Sequence, residues 1–209
     1  MRRSARRSST RAEFFRRLAL VLSALAVLSV PAALGADEDE RAALRAFLES
    51  HIEASDSFED RYAAEVWLVD MSARLEPFVE DPDDRLELLR QIHGAASRSD
   101  LVPELVLAVI EVESTFDRFA VSRAGAQGLM QVMPFWREEI GRPGDNLTVN
   151  TTNLEYGCRI LQYYLQRNDG ALHEALAGYN GSSGSRVYSD KVKRAWTRHW
   201  KSTPLDWSR

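Results

Sequence analysis

Three glutamates share one short stretch of this chain, Glu104, Glu111 and Glu113, and one of them stands where a carboxylate is out of place. Pro103 suits the first turn of a helix running from about Val102 to Phe116. At 100° per residue, Val102, Val106, Val109 and Ile110 cluster within roughly 60° of the direction of Glu113, whereas Glu104 and Glu111 point about 160–180° away. Two glutamates are therefore expected to face solvent, and the third is centred on the apolar face. An unpaired buried carboxylate is costly, and desolvation raises its pKa. That is the property of a general acid working near neutral pH. The wheel alone leaves an alternative, a helix-end glutamate that reaches water or pairs with Arg118 or Arg123.

Other chemistries find less support. The four histidines, His51, His93, His173 and His199, show no HExxH pairing or other metal-ligand spacing. There is no G-x-S-x-G elbow for a serine hydrolase. The one cysteine, Cys158, has no partner for an internal disulfide and sits in an apolar stripe, which suits a small core residue better than a nucleophile.

The elements that must position Glu113 lie in the last two thirds of the chain. Residues 1–36 carry seven arginines and one acid, then an uncharged run from Leu18 to Ala36 and the small residues Ala32, Ala33, Gly35 and Ala36. This order is that of a secretory signal peptide, with an uncleaved anchor as the alternative, and predicts export. The remainder holds 20 basic and 30 acidic residues, an acidic balance that argues against nucleic acid as a partner. Residues 37–100 carry 18 acids against 7 bases, and the excess ends there. Apolar residues recur at helical spacing almost throughout, with no sustained two-residue alternation. From 59 to 78, Tyr62, Val66, Val69 and Ala73 fit one helical stripe that is expected to be buried. Asp81-Pro82-Asp83-Asp84 starts another helix, with Leu86, Leu89 and Ile92 behind it. Leu154, Gly157, Cys158, Leu161 and Leu165 make a further buried stripe. The fold class is all-α (mainly α).

Several motifs follow Glu113 in order. Glu113-Ser114 leads to Gly128-Leu129-Met130-Gln131, then Asn153-Leu154-Glu155-Tyr156-Gly157-Cys158, Ala177-Gly178-Tyr179-Asn180, and Tyr188-Ser189-Asp190-Lys191-Val192. Over about residues 85–200 this set resembles the catalytic domain of the soluble-type lytic transglycosylases. The resemblance implies a lysozyme-like catalytic domain with an N-terminal helical extension. The expected division is a signal peptide over 1–36, an acidic helical extension over 37–81, the catalytic domain over 82–202 and a tail over 203–209.

The resemblance further implies that Glu113 is the single catalytic acid/base for the β-1,4 bond between N-acetylmuramic acid and N-acetylglucosamine in peptidoglycan. It implies a 1,6-anhydro product, peptidoglycan glycan strands as partner, and neither metal nor organic cofactor. Ser114, Gly128, Met130, Gln131, Tyr179, Asn180 and Tyr188 are the implied substrate-binding residues. Among them, Tyr179 is expected beside Glu113, Asn180 on the substrate acetamido group, and Met130 in the groove, with Met133 in the core. Only seven residues, Gly181 to Val187, separate the last two motifs, fewer than in many relatives, which leaves the role of Tyr188 open. Asp117 lies at the helix end beside Arg118, where a surface role is expected. Trp67, Trp136, Trp196 and Trp200 divide between sugar-stacking and core, with core favoured for most. A hydrolytic muramidase and a catalytically silent peptidoglycan-binding module remain as alternatives. Envelope-protein partners, oligomeric state and strand-end preference stay open.

Overall fold

The computed structural model describes residues 61–202 and 204–208, all within the unit Glu49–Arg209. The leader and the first half of the acidic extension lie outside the described residues. Seven α-helices and one π-helical turn are present among the described residues, with isolated bridges in place of strands. They are α1 (Arg61–Leu75), α2 (Pro82–Arg98), α3 (Pro103–Ser114), α4 (Trp136–Ile140), α5 (Asn150–Arg167), α6 (Leu172–Tyr179) and α7 (Val187–Ala195). The π-helical turn is Trp196–Trp200. The all-α expectation holds across them.

Local chemistry sets the helix starts. Asp81 caps α2, its carboxylate accepting from the N–H groups of Asp83 and Asp84 at 2.9 and 3.0 Å, with Pro82 at the first position. Helix α3 begins at Pro103 behind Val102, as the sequence predicts. Every residue from Glu104 to Ile110 is buried, so α3 is enclosed on all sides. It packs against α2, α7 and the π-helical turn, while α5 bridges α2 and α6. Leu154, Gly157, Cys158 and Leu161 are buried on α5, and Leu165 is half-buried. A Cβ on Gly157 would run into Met130, so this glycine sets how closely α5 approaches the loop that follows α3.

The face of α1 is the reverse of the one expected. Tyr62, Val66, Val69 and Ala73 are exposed, whereas Ala64, Leu68, Met71 and Leu75 are fully buried. Both sets follow the same i, i+4, i+7, i+11 template about half a turn apart, so periodicity offers two candidate faces. The buried set holds the larger aliphatic side chains, and it is the one that meets α2.

Glu104 and Glu111 also depart from expectation, since neither faces open solvent. Glu104 is 2% exposed and accepts hydrogen bonds from Trp67 Nε1 at 3.1 Å and from Ser202 Oγ. Glu111 is half-buried, accepting from Trp200 Nε1 at 2.7 Å, with His199 Nδ1 2.9 Å away. The side of α3 opposite Glu113 is thus covered by α1 and the C-terminal segment, and its carboxylates tie them down.

Candidate active site

Glu113 sits one residue before the end of α3, at a point where the backbone turns sharply. The expected helix ran to Phe116; the observed one stops at Ser114. Thr115 and Phe116 both adopt left-handed conformations, with φ of 53° and 64°. Such angles are unfavourable for residues with a Cβ, by about 1–3 kcal/mol each. Phe116 offsets part of this by burying its ring against Phe78 and Trp200, with centroids 5.1 and 5.6 Å apart. The stop leaves the Glu113 side chain half-buried at the junction of two cavities, of about 240 and 250 Å³.

The first cavity is lined by Ser122, Gln131, Met133, Trp136, Tyr179 and Asn180 among others. The second lies beyond Glu113 and is lined by Asn180, Ser182, Ser185, Tyr188 and Lys191 among others. Glu113 and Asn180 are common to both, so the two form one groove that passes the carboxylate. Glu113 is the single carboxylate in the lining of either. Asp117 is exposed and caps the local turn by accepting from Phe119 N–H at 2.8 Å, in line with the surface role expected of it.

Burial pushes the Glu113 carboxyl up to about 7, against a hydrogen bond from Tyr188 and the charge of Lys191, which both pull it down. The Tyr188 hydroxyl donates to Glu113 Oε1 at 2.6 Å. Tyr188 is 7% exposed, and burial followed by the neighbouring Glu113 charge holds its phenol protonated well above the usual range. It is a donor at every pH at which Glu113 titrates. The short Gly181–Val187 connection, which left this residue's role open, delivers it to the carboxylate on the first turn of α7.

Tyr179 lies beside Glu113, as expected: both line the first cavity, and the Glu113 charge adds to burial in raising its phenol. Its hydroxyl donates to the Met130 carbonyl at 2.7 Å and not to Glu113. It lines the first cavity and fixes the loop beneath, so the phenol on the glutamate is that of Tyr188. Ser114 likewise turns inward: its hydroxyl is 2.8 Å from the Leu129 carbonyl and 3.2 Å from that of Ile110. It clasps the loop to the end of α3 and lines neither cavity.

The loop carrying Gly128-Leu129-Met130-Gln131 is held by one buried side chain that sequence reasoning passed over. Asn153, 1% exposed on α5, accepts from Met130 N–H at 2.7 Å and donates to the carbonyls of Gln127 and Leu147, each at 2.8 Å. Gly128, at φ 74°, has no room for a Cβ, which would strike the Leu147 carbonyl and Asn153. It packs closely behind the groove and lines neither cavity. Met130 is fully buried, whereas Met133 is half-buried and lines the first cavity, which exchanges the roles expected of the two. Gln131, at φ 49°, lines that cavity and donates to the Ala120 and Gly128 carbonyls at 3.1 and 3.0 Å.

Trp136 lines the first cavity beside the exposed ring of Phe135, with centroids 5.1 Å apart. Trp196 and Trp200 are core, and Trp67 donates to Glu104. Cys158 is buried and its thiol is pushed up to about 12, which removes it as a nucleophile. The residues of the second cavity other than Glu113, Asn180 and Tyr188 were missed. One signal was available for Lys191: it lies three residues after Tyr188 on a helix and so shares its face.

An all-α frame that carries one half-buried, unpaired acid in a groove, between polar and aromatic walls, defines the class of site. Residues 90–201 match the family model of the transglycosylase SLT domain, and the chain belongs to that family. It is 32% identical over 108 residues to a transglycosylase of Enterobacteria phage PRD1, covering 52% of this chain and 40% of that one. It is 29% identical over 125 residues to the membrane-bound lytic murein transglycosylase C of Edwardsiella ictaluri, covering 51% and 35%. The chain thus spans less than half the length of these relatives. A solved structure of an inactive mutant of lytic transglycosylase Slt from Pseudomonas aeruginosa aligns at a TM-score of 0.40 and 25% identity, covering 55% of this chain and 18% of that one.

Proposed function

We propose that this chain is a peptidoglycan lytic transglycosylase in which Glu113 serves first as acid and then as base. The observation that carries the reading is the lone Glu113 carboxyl, raised to about 7, at the midpoint of a groove whose lining holds no second carboxylate. A two-carboxylate glycosidase places its second group within roughly 5–9.5 Å, to trap the sugar or activate water.

With one carboxyl, the chemistry falls to the substrate. Protonated Glu113 donates to the oxygen of the β-1,4 bond, and the bond from that oxygen to C1 of N-acetylmuramic acid breaks. The acetamido oxygen of the same sugar bonds to C1 and carries the charge, with Asn180 positioned to hold that group. Glu113, now a carboxylate, takes the proton from the C6 hydroxyl. The C6 oxygen then displaces the acetamido oxygen from C1 and closes the 1,6-anhydro ring. One bond is exchanged for another, Glu113 recovers its proton, and no water is consumed. Tyr188 orients the carboxyl through both steps. Gln131, Met133, Trp136 and Tyr179 form the wall along which the strand lies.

The arginine-rich leader with its apolar run supports export to the cell envelope, where this substrate is found. Among the described residues, no helix is long and apolar enough to cross a membrane. Digestion of purified sacculi with masses read on the products tests the function. Muropeptides one water lighter than hydrolysis products are expected; products of full hydrolytic mass, or no release, would overturn it.

A further inference from the structure

The two arms of the groove differ in charge. Apart from the shared Glu113, the first cavity is lined by uncharged side chains, whereas the second contains Lys191. Lys191 is exposed on α7, one turn beyond the Tyr188 that holds Glu113. Ser182 and Ser185 line the same cavity, and Ser182 Oγ is buried without a hydrogen-bond partner. A buried hydroxyl of this kind is unfavourable until a ligand completes it.

We infer that this second cavity is an anion subsite, in which Lys191, Ser182 and Ser185 take the acidic lactyl or lactyl-peptide substituent of an N-acetylmuramoyl residue. The inference rests on the proposed peptidoglycan function and specifies how that substrate is recognised. In the alternating strand only the muramoyl sugar bears acid, as the lactyl carboxylate when bare or as peptide carboxylates when substituted. The glucosamine residue is neutral and suits the uncharged arm. The charge on Lys191 also works against Glu113, since it draws the carboxyl down while burial drives it up. An anion seated on Lys191 cancels that pull and leaves the acid better protonated when substrate is present. One contact would thus set the register of the strand and ready the acid.

The test is equilibrium binding in the Glu113→Gln background, so that turnover does not intervene. The two probes are a neutral N-acetylglucosamine oligomer and a peptide-free muramoyl glycan of equal length. At low salt the muramoyl glycan is expected to bind about two- to five-fold more tightly, the range for an exposed ion pair, with the preference fading at high salt. Lys191→Met should erase the preference and Lys191→Glu should reverse it, while affinity for the neutral oligomer stays unchanged. Equal losses for both glycans, or a preference that survives Lys191→Met, would overturn the subsite. Binding of neither glycan would overturn the subsite together with the proposed function. If the Glu113→Gln variant shows the preference yet the wild-type protein releases nothing from sacculi, the subsite stands and the proposed activity is lost.

Discussion

Replacing Glu113 by glutamine should make the protein inactive and, above neutral pH, more stable. The carboxyl is raised from 4.5 to about 7, chiefly by burial. Between those values the folded protein holds a proton that the unfolded chain releases. The contribution of this group to stability is therefore complete below pH 4.5 and lost as pH rises through 7. At about 1.4 kcal/mol for each pH unit, the whole span amounts to at most about 3 kcal/mol. Glutamine retains the oxygen that accepts from Tyr188 and has no charge to desolvate, so it escapes the loss. Half-buried His93, pushed down to about 4, also adds pH dependence, but equally in both proteins, and cancels in the difference. Denaturant unfolding of wild type and Glu113→Gln at pH 4 and pH 8 reads the effect. The glutamine variant should gain up to about 3 kcal/mol on wild type between the two pH values, roughly 6–12 °C in Tm. Parallel stability profiles would show that the carboxyl is not desolvated in the folded state. On sacculi the same variant should lose about 10²–10⁴-fold in turnover, the usual contribution of general acid/base catalysis.

Three further substitutions separate positioning from packing. Tyr188→Phe removes a donor that favours the ionised form, so the Glu113 limb of the pH–rate profile should move upward while turnover falls; an unmoved limb would place Tyr188 outside the acid's hydrogen bond. Met130→Ala should cost about 2–5 kcal/mol in denaturant unfolding because the side chain is fully buried, whereas Met133→Ala should mainly raise KM; the opposite pattern would restore the roles expected from sequence. Asn153→Leu leaves the Met130 N–H and the Leu147 carbonyl without their partners and takes one of two donors from the Gln127 carbonyl, so about 2–4 kcal/mol of stability should be lost with turnover; a stable, fully active variant would show that the loop holds itself.

What the sequence revealed divides along the range of the interactions involved. Glu113 was legible because its misplacement is a property of one helix, and a wheel displays it. The cap of α2 and the buried stripes of α2 and α5 were legible for the same reason. Glu104 and Glu111 were misread because their partners, Trp67, Ser202, His199 and Trp200, are 37 to 98 residues away and no local period encodes them. Helix α1 carries two apolar ladders, and only the packing of α2 selects between them. Met130 and Met133 flank a left-handed residue, Gln131, in a loop with no period, so inside and outside could not be assigned by counting. Asn153 was visible within a motif, yet two of its three hydrogen bonds depend on a loop more than 20 residues earlier. The place of Tyr179 beside Glu113 was legible, but the role of Tyr188 was not, because the directions of the two hydroxyls are set by α6 and α7 together.

The central claim is that one carboxyl, with no second carboxylate in the groove to activate water, drives an intramolecular ring closure. Digestion of sacculi in water labelled with heavy oxygen tests it directly. Released muropeptides should carry no label at the muramoyl end and should lack a reducing terminus there. One labelled oxygen for each bond cut would contradict the account and make the protein a hydrolase.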